Sequence, residues 1–257
     1  MRKKIIIANW KMNLSYAEAM ALTDALLASS ENFVNCDVVI APPFIYLHDI
    51  NARIQSQPNI SISAQNCSYE EKGALTGEIS AFMLASIGVE YVIVGHSERR
   101  SVFKEDDEMI ARKINKALDH ELIPVFCCGE DSQQRKNGEH FRTVEEQLNK
   151  GLFHVKSKHI NKCIIAYEPV WAIGTGINAS PAEAQEMHSF IRRKINEKYD
   201  SSISEQFTIL YGGSVSGENA EELFACSDVD GGLVGGASLK SSEFLSIIQS
   251  MNSISIK

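Results

Sequence analysis

The sequence predicts a (β/α)8 barrel, and two observations carry that prediction. Short apolar, β-branched runs recur along the whole chain, at Ile5 to Ala8, Val38 to Ala41, Ile60 to Ala64, Tyr91 to Val94, Ile123 to Cys127, Cys163 to Ala166, Phe207 to Tyr211 and Gly232 to Val234. Each has the length and composition of a strand buried on both faces. Segments with helical spacing lie between them, so strand and helix alternate eight times in 257 residues, close to the usual size of such a barrel. No Pro/Gly/Ser-rich linker and no shift of composition divides the chain, which favours one barrel domain over 1–257 rather than two smaller domains. A doubly wound open sheet is the alternative fold.

Taken in order, the first run follows Arg2-Lys3-Lys4 and stops at Asn9-Trp10-Lys11-Met12-Asn13. It mimics the charged start of a signal peptide, but it is too short for an h-region and far too short to span a bilayer. The third run opens into Gln65-Asn66-Cys67, and the fourth into Gly95-His96-Ser97-Glu98-Arg99-Arg100. Met109, Ile110, Ile114, Ala117 and Leu118 then keep the spacing of a helix face. The fifth run gives way to Cys128-Gly129-Glu130 and the sixth to Tyr167-Glu168-Pro169-Val170-Trp171-Ala172-Ile173-Gly174-Thr175-Gly176. Ser180-Pro181-Ala182-Glu183 supplies an N-cap serine, a proline at the first helical position and a glutamate at N3, and so starts a helix carrying Met187, Phe190, Ile191 and Ile195. The seventh and eighth runs end in Gly212-Gly213-Ser214 and Gly235-Gly236-Ala237-Ser238.

Composition narrows the partners. Lys+Arg 25 against Asp+Glu 33 gives a net charge of −8, with no long basic stretch, which argues against nucleic acid. The six cysteines, Cys36, Cys67, Cys127, Cys128, Cys163 and Cys226, show no CxxC and no ligand spacing with histidine. They read as reduced, mostly buried thiols, and the cytoplasm is the default compartment. In that compartment the sequons at Asn13, Asn66 and Asn178 carry no glycan.

In a (β/α)8 barrel the loops after the strands open on one face, and the chemistry gathers there. One lysine, one histidine, one glutamate and two glycine-rich turns therefore converge on one rim. Gly212-Gly213 or Gly235-Gly236 alone would be equally consistent with a tight turn. Two such pairs after adjacent last strands point to a phosphate held on backbone N–H groups. Glu168, beside an apolar loop with Trp171 and Ile173, has the setting of a base desolvated when that loop covers it. His96 suits hydrogen-bond donation as a neutral ring if the following helix aims its N-terminus at it. Lys11 is an isolated cation whose case rests on convergence with the others.

Competing motifs fail. His96-Ser97-Glu98 matches the HxE of zinc deaminases, but the companion PCxxC is absent. Gly174, Gly176 and Ala179 fit a dinucleotide fingerprint, yet Pro169 to Ile173 separate them from the strand they should follow directly. A Schiff-base aldolase would share barrel and phosphate site, but the sixth run ends in Glu168 where a lysine would be needed.

Seven segments together resemble the triosephosphate isomerase family, in order and nearly from end to end. They are Ala8 to Asn13, Ala64 to Asn66, Thr76 to Ser80, Gly95 to Arg100, Ala166 to Gly176, Tyr211 to Ser214 and Leu233 to Ser238. The resemblance implies a TIM barrel and an aldose–ketose isomerase of glycolysis and gluconeogenesis. Its substrates would be dihydroxyacetone phosphate and D-glyceraldehyde 3-phosphate, without cofactor or metal. It implies Glu168 as base, His96 as proton shuttle, Lys11 and Asn9 as stabilisers of enediolate charge, and Glu98 and Cys127 as supporting residues. Phosphate would sit on Gly174, Ser214, Gly235 and Gly236, under a lid of Pro169, Val170, Trp171, Ala172, Ile173, Gly174, Thr175 and Gly176. Glu98, beside Arg99 and Arg100, reads equally well as a structural ion pair. The loop with Thr76, Gly77 and Glu78 would enter a partner subunit, so a homodimer is expected, and no membrane or nucleic-acid partner. A non-catalytic binding protein on the same fold is the second class of reading. Cys128 and Gly232 depart from the family pattern, which bears on local packing rather than chemistry.

Overall fold

The eight apolar runs pair in parallel, each with its sequence neighbour, and the last pairs with the first. A computed structural model describes residues 2–173 and 179–254. Its strands are β1 (Ile5–Asn9), β2 (Asp37–Ala41), β3 (Ile60–Ala64), β4 (Tyr91–Val94), β5 (Ile123–Cys128), β6 (Ile164–Tyr167), β7 (Ile209–Tyr211) and β8 (Gly231–Val234). They close into a barrel in the order β1 to β8, which settles the choice of fold against an open sheet.

Alternation along each strand builds two cores. Ile5, Ile7, Val39, Ile93, Val125, Ala166, Leu210 and Leu233 belong to one cluster drawn from strands, the filling of the barrel. Their neighbours Ile6, Val38, Ile62, Val92, Phe126, Ile165 and Ile209 face the helices and join a larger outer cluster. This is why the runs are apolar on both faces. The helix Pro181–Lys198 starts as predicted: the Ser180 hydroxyl accepts the Glu183 N–H at 3.2 Å, and the Glu183 carboxylate takes the Ser180 N–H at 2.8 Å. In the helix Asp107–Asp119, Ile110, Ile114 and Ala117 are buried, as the spacing required.

Gly232 has a packing explanation. The ring of Phe224 lies 3.4 Å from where a side chain at 232 would begin, so an aromatic from the outer layer fills the volume that this strand position leaves open. Five of the six cysteines are buried and Cys226 is partly so, and none forms a disulfide. Among the described residues no helix is long and apolar enough to cross a membrane.

Two buried groups tie the late strands to their surroundings. Asp230 is fully buried and meets Arg2 at 2.7 Å, Lys4 at 3.3 Å, Arg192 at 2.9 Å and the Ile209 N–H at 3.0 Å. His188, also fully buried, donates from Nδ1 to the Asp228 carbonyl at 3.2 Å. Burial pushes its imidazole down from the ordinary 6.5 to about 4, against the Asp228 carbonyl and the charges of Asp230 and Asp228, which favour protonation; Arg192 adds to the depression. The folded protein therefore keeps His188 neutral where the unfolded chain would protonate it. Stability from this source is complete above about pH 6.5 and is lost as pH falls toward about 4. The loss is on the order of 3 kcal/mol. Urea unfolding across that range should show a steeper decline for the parent than for His188→Phe; parallel curves would rule the linkage out.

Candidate active site

β1 ends at Asn9, and two residues later Lys11 adopts φ +51°, a left-handed conformation that costs an ordinary residue about 1–2 kcal/mol. Neighbouring strands hold it there. The Lys11 N–H donates to Asn9 Oδ1 at 3.1 Å, and Gln65, just past β3, donates from Nε2 to the carbonyls of Lys11 and Ala41, each at 2.9 Å. The Lys11 ammonium then reaches Glu98 Oε1 at 2.7 Å.

His96 caps the short helix Ser97–Ser101 after β4. Its Nδ1 accepts the Glu98 N–H at 3.3 Å, so the ring proton sits on Nε2, which lies 3.1 Å from Glu168 Oε1. Glu168 Oε2 accepts the Ser97 N–H at 2.8 Å, and the residue is only 2% exposed. Glu98 does not pair with its neighbouring arginines, as one reading of the sequence expected. Arg99 is taken by Glu105 at 2.5 Å and Arg100 by Asp107 at 2.6 Å, which leaves Glu98 to Lys11.

The turn after β6 is confined from both sides. Glu168 N–H donates to the Cys128 carbonyl at 2.7 Å, and Gly212 N–H to the Tyr167 carbonyl at 2.7 Å. A Cβ on Gly129 would fall 1.7 Å from the Glu168 carbonyl oxygen, and one on Gly212 would fall 2.9 Å from Glu168 Cγ. Glu130, fully buried, accepts the Tyr167 hydroxyl at 3.0 Å and Trp171 Nε1–H at 2.8 Å. Burial pushes its carboxyl up from the ordinary value, while these donors and Arg135 hold it down. The Ser214 hydroxyl donates to the Ala172 carbonyl at 2.7 Å. The first part of the expected lid, Pro169 to Ile173, is thus fastened at Trp171 and Ala172. Gly174, Thr175 and Gly176, including the expected phosphate ligand Gly174, lie outside the described residues.

These elements surround a cavity of about 250 Å³. Asn9, Lys11, His96, Gly212, Gly213, Ser214, Gly235 and Gly236 line it, with Ile173 and Leu233 supplying apolar wall. Glu168, Glu98 and Cys127 do not line it. Cys127 is fully buried in the barrel filling, where burial pushes its thiol well up, and its carbonyl accepts from Arg100 at 3.0 Å. Thr76, Gly77 and Glu78 are exposed and away from the cavity. Sequence reasoning assigned no role to Gln65, Gly129 or Glu130. The available signal was a polar or glycine residue directly after an apolar strand, at the rim of the barrel.

A closed barrel whose loops after the strands enclose an imidazole, an ammonium and two glycine turns, with a buried carboxylate against the imidazole, defines a (β/α)8-barrel enzyme. The family model described as triosephosphate isomerase matches residues 4–251. A relative named triosephosphate isomerase from Flavobacterium johnsoniae is 49% identical over 248 residues, 96% of this chain and 99% of its own length. Relatives of the same name from Porphyromonas gingivalis W83 and Bacteroides fragilis NCTC 9343 are 48% identical over 250 residues and 47% over 253. They cover 97% and 98% of this chain, and 99% and 100% of their own lengths. The chain belongs to the triosephosphate isomerase family.

Gly129→Ala should displace the Glu168 backbone, since a 1.7 Å overlap with a carbonyl cannot be relieved by a side-chain rotation. Isomerase turnover is expected to fall by roughly 10²-fold or more in protein that remains folded. Turnover near the parent's would show that the Glu168 turn tolerates the shift.

Proposed function

We propose that this enzyme interconverts dihydroxyacetone phosphate and D-glyceraldehyde 3-phosphate, with Glu168 as the base. The observation that carries the assignment is the 3.1 Å approach of Glu168 to His96 Nε2 at the edge of a cavity that also holds Lys11. The Glu168 carboxylate takes the proton from the carbon beside the carbonyl, and that C–H electron pair forms the enediolate double bond. His96 donates from Nε2 to the carbonyl oxygen and afterwards moves the proton between the two oxygens. Lys11 and Asn9 stabilise the negative charge on them, and Glu168 returns its proton to the neighbouring carbon. Glu98 keeps Lys11 directed through their 2.7 Å contact, and Cys127 supports the strand behind.

The phosphate is held on backbone N–H groups of Ser214, Gly235 and Gly236, with Gly174 from the lid and the Ser214 hydroxyl as further donors. The lid expected from Pro169 to Gly176 would keep water from an intermediate that could otherwise expel phosphate. Glu168 has to leave the Ser97 N–H to reach substrate, and Ser214 has to release Ala172 to turn toward phosphate. No cofactor or metal takes part in this scheme. An aldolase would require a lysine nucleophile where Glu168 stands, and a binding protein would have no use for it.

A coupled assay of isomerisation with the purified protein tests the reaction. Glu168→Asp should lower turnover by roughly 10²-fold, since it withdraws the carboxylate by about one methylene. Binding of a phosphate-bearing inhibitor should be retained, and near-parent turnover would remove Glu168 from the role of base.

The working form is proposed to be a homodimer in the cytoplasm, in keeping with free thiols. Large exposed apolar side chains gather after the first four strands: Met12 after β1, Ile45 after β2, Leu75, Phe82 and Met83 after β3, Val102 and Phe103 after β4. Side chains of this kind are what an interface would cover, and the Thr76-Gly77-Glu78 loop lies between Leu75 and Phe82 in the sequence. Analytical ultracentrifugation at working concentration should give twice the chain mass; a compact monomer would discard the dimer.

A further inference from the structure

His188 takes no part in the reaction above, yet it stands behind β6, which carries the Glu168 turn, and behind β7 beside it. It projects from the helix Pro181–Lys198 into the layer between helices and barrel, with no exposure. Its ring meets Tyr167 edge-on, centroids 5.8 Å apart and planes at 90°, and lies tilted by 35° to Tyr211 at 6.3 Å. These tyrosines are register partners on β6 and β7. Tyr167 precedes Glu168 and donates its hydroxyl to Glu130, the carboxylate that also takes the Trp171 N–H. Tyr211 precedes the glycine turn, and its hydroxyl lies 2.3 Å from where a Cβ on Gly213 would be.

Packing alone does not account for an imidazole at this place. The Nδ1–H is bonded to the Asp228 carbonyl, which leaves Nε2 a buried lone pair, and it has no hydrogen-bond partner among the described residues. Phenylalanine would fill a similar volume without an orphaned acceptor, and leaving one unmade is unfavourable. What the imidazole adds is one directed bond. That bond fixes the rotation of the ring and so fixes the face and edge offered to the two tyrosines.

We propose that His188 is a positioning residue: anchored on the Asp228 carbonyl, its ring holds Tyr167 and Tyr211 so that the Glu168 turn and the Glu130–Trp171 contact are set before substrate arrives. It acts through the tyrosines and touches no reacting atom. The inference rests on the isomerase reading, and on Glu130 as the group through which Tyr167 reaches Trp171.

The test is a double-mutant cycle on isomerase kcat with His188→Phe and Glu130→Gln, alone and together, with circular dichroism and sedimentation confirming the fold of each. His188→Phe is expected to lower kcat about tenfold, less than the roughly 10² of a full 1 Å misplacement, while KM changes by less than about twofold. The double variant should be little slower than the slower single, because both changes release the same contact. A folded His188→Phe with parental kcat, or effects that multiply independently, would overturn the proposal. If His188→Phe does not fold, His188→Gln replaces it in the cycle; failure of both to fold would assign His188 to the core alone and also overturn it. An inactive parent protein would instead overturn the isomerase reading.

Discussion

Closure of the barrel between β8 and β1 is the constraint on which the site depends. The seam pairs Ile5 with Gly231 through to Ala8 with Val234. It starts at a glycine with φ +143°, where a Cβ would fall 1.8 Å from the Ile5 carbonyl oxygen, so no other residue admits this approach. At the other end of the same seam, Gly235 comes so near Lys11 that a Cβ there would lie 3.4 Å from Lys11 Cε. Two residues more than two hundred positions apart thus share one wall of the cavity. Asp230 secures the start of the seam: the Ile5 N–H donates to its carbonyl at 3.1 Å, while its carboxylate gathers Arg2, Lys4 and Arg192. Removing one partner of a buried ion pair commonly costs about 3–5 kcal/mol, so the acidic residue at the bottom of the barrel supports the geometry at the top.

Strands were legible in the sequence because burial on both faces leaves continuous apolar runs, and their order followed from the repeat. Their ends were less so. Cys163 and Phe207 are buried and apolar but precede β6 and β7, packing as the chain enters the strand, whereas polar Asn9 belongs to β1 and pairs with Ala41. The Ser180 cap was legible because all its parts lie within four residues. Lys11, His96 and Glu168 could be named as rim residues because each lies within two residues of a strand's end. The work of Gln65, Gly129 and Glu130 could not, because it consists of distances between strands: Gln65 to the Lys11 carbonyl, Gly129 to the Glu168 carbonyl, Glu130 to Trp171. Glu98 was ambiguous for the same reason, since adjacent arginines are close in sequence but are taken by Glu105 and Asp107 in space.

An acidic chain with a net charge of −8 is a poor host for a dianion unless the rim is locally positive. Lys11 supplies less than its full charge to the cavity, because Glu98 neutralises it at 2.7 Å. On the proposed phosphate site, the backbone amides of the two glycine turns therefore matter more for the anion than the lysine does, and they do not titrate. On the proposed chemistry, Lys11 is better suited to charge that develops during the reaction, when a nearby enediolate would compete with Glu98 for the same ammonium.

The arrangement of Glu168 would link the proposed base and acid in one movement. One carboxylate oxygen is held by the Ser97 N–H and the other occupies the proton of His96 Nε2, and neither lines the cavity. On the proposed chemistry, the displacement that brings Glu168 to the substrate carbon necessarily frees the Nε2–H for the substrate oxygen. The imidazole does not follow, because its Nδ1 stays on the Glu98 N–H. On that chemistry Glu168 and His96 stay paired until a ligand gives Glu168 reason to leave, and the confinement of its backbone by Gly129 and Gly212 favours departure of the side chain alone.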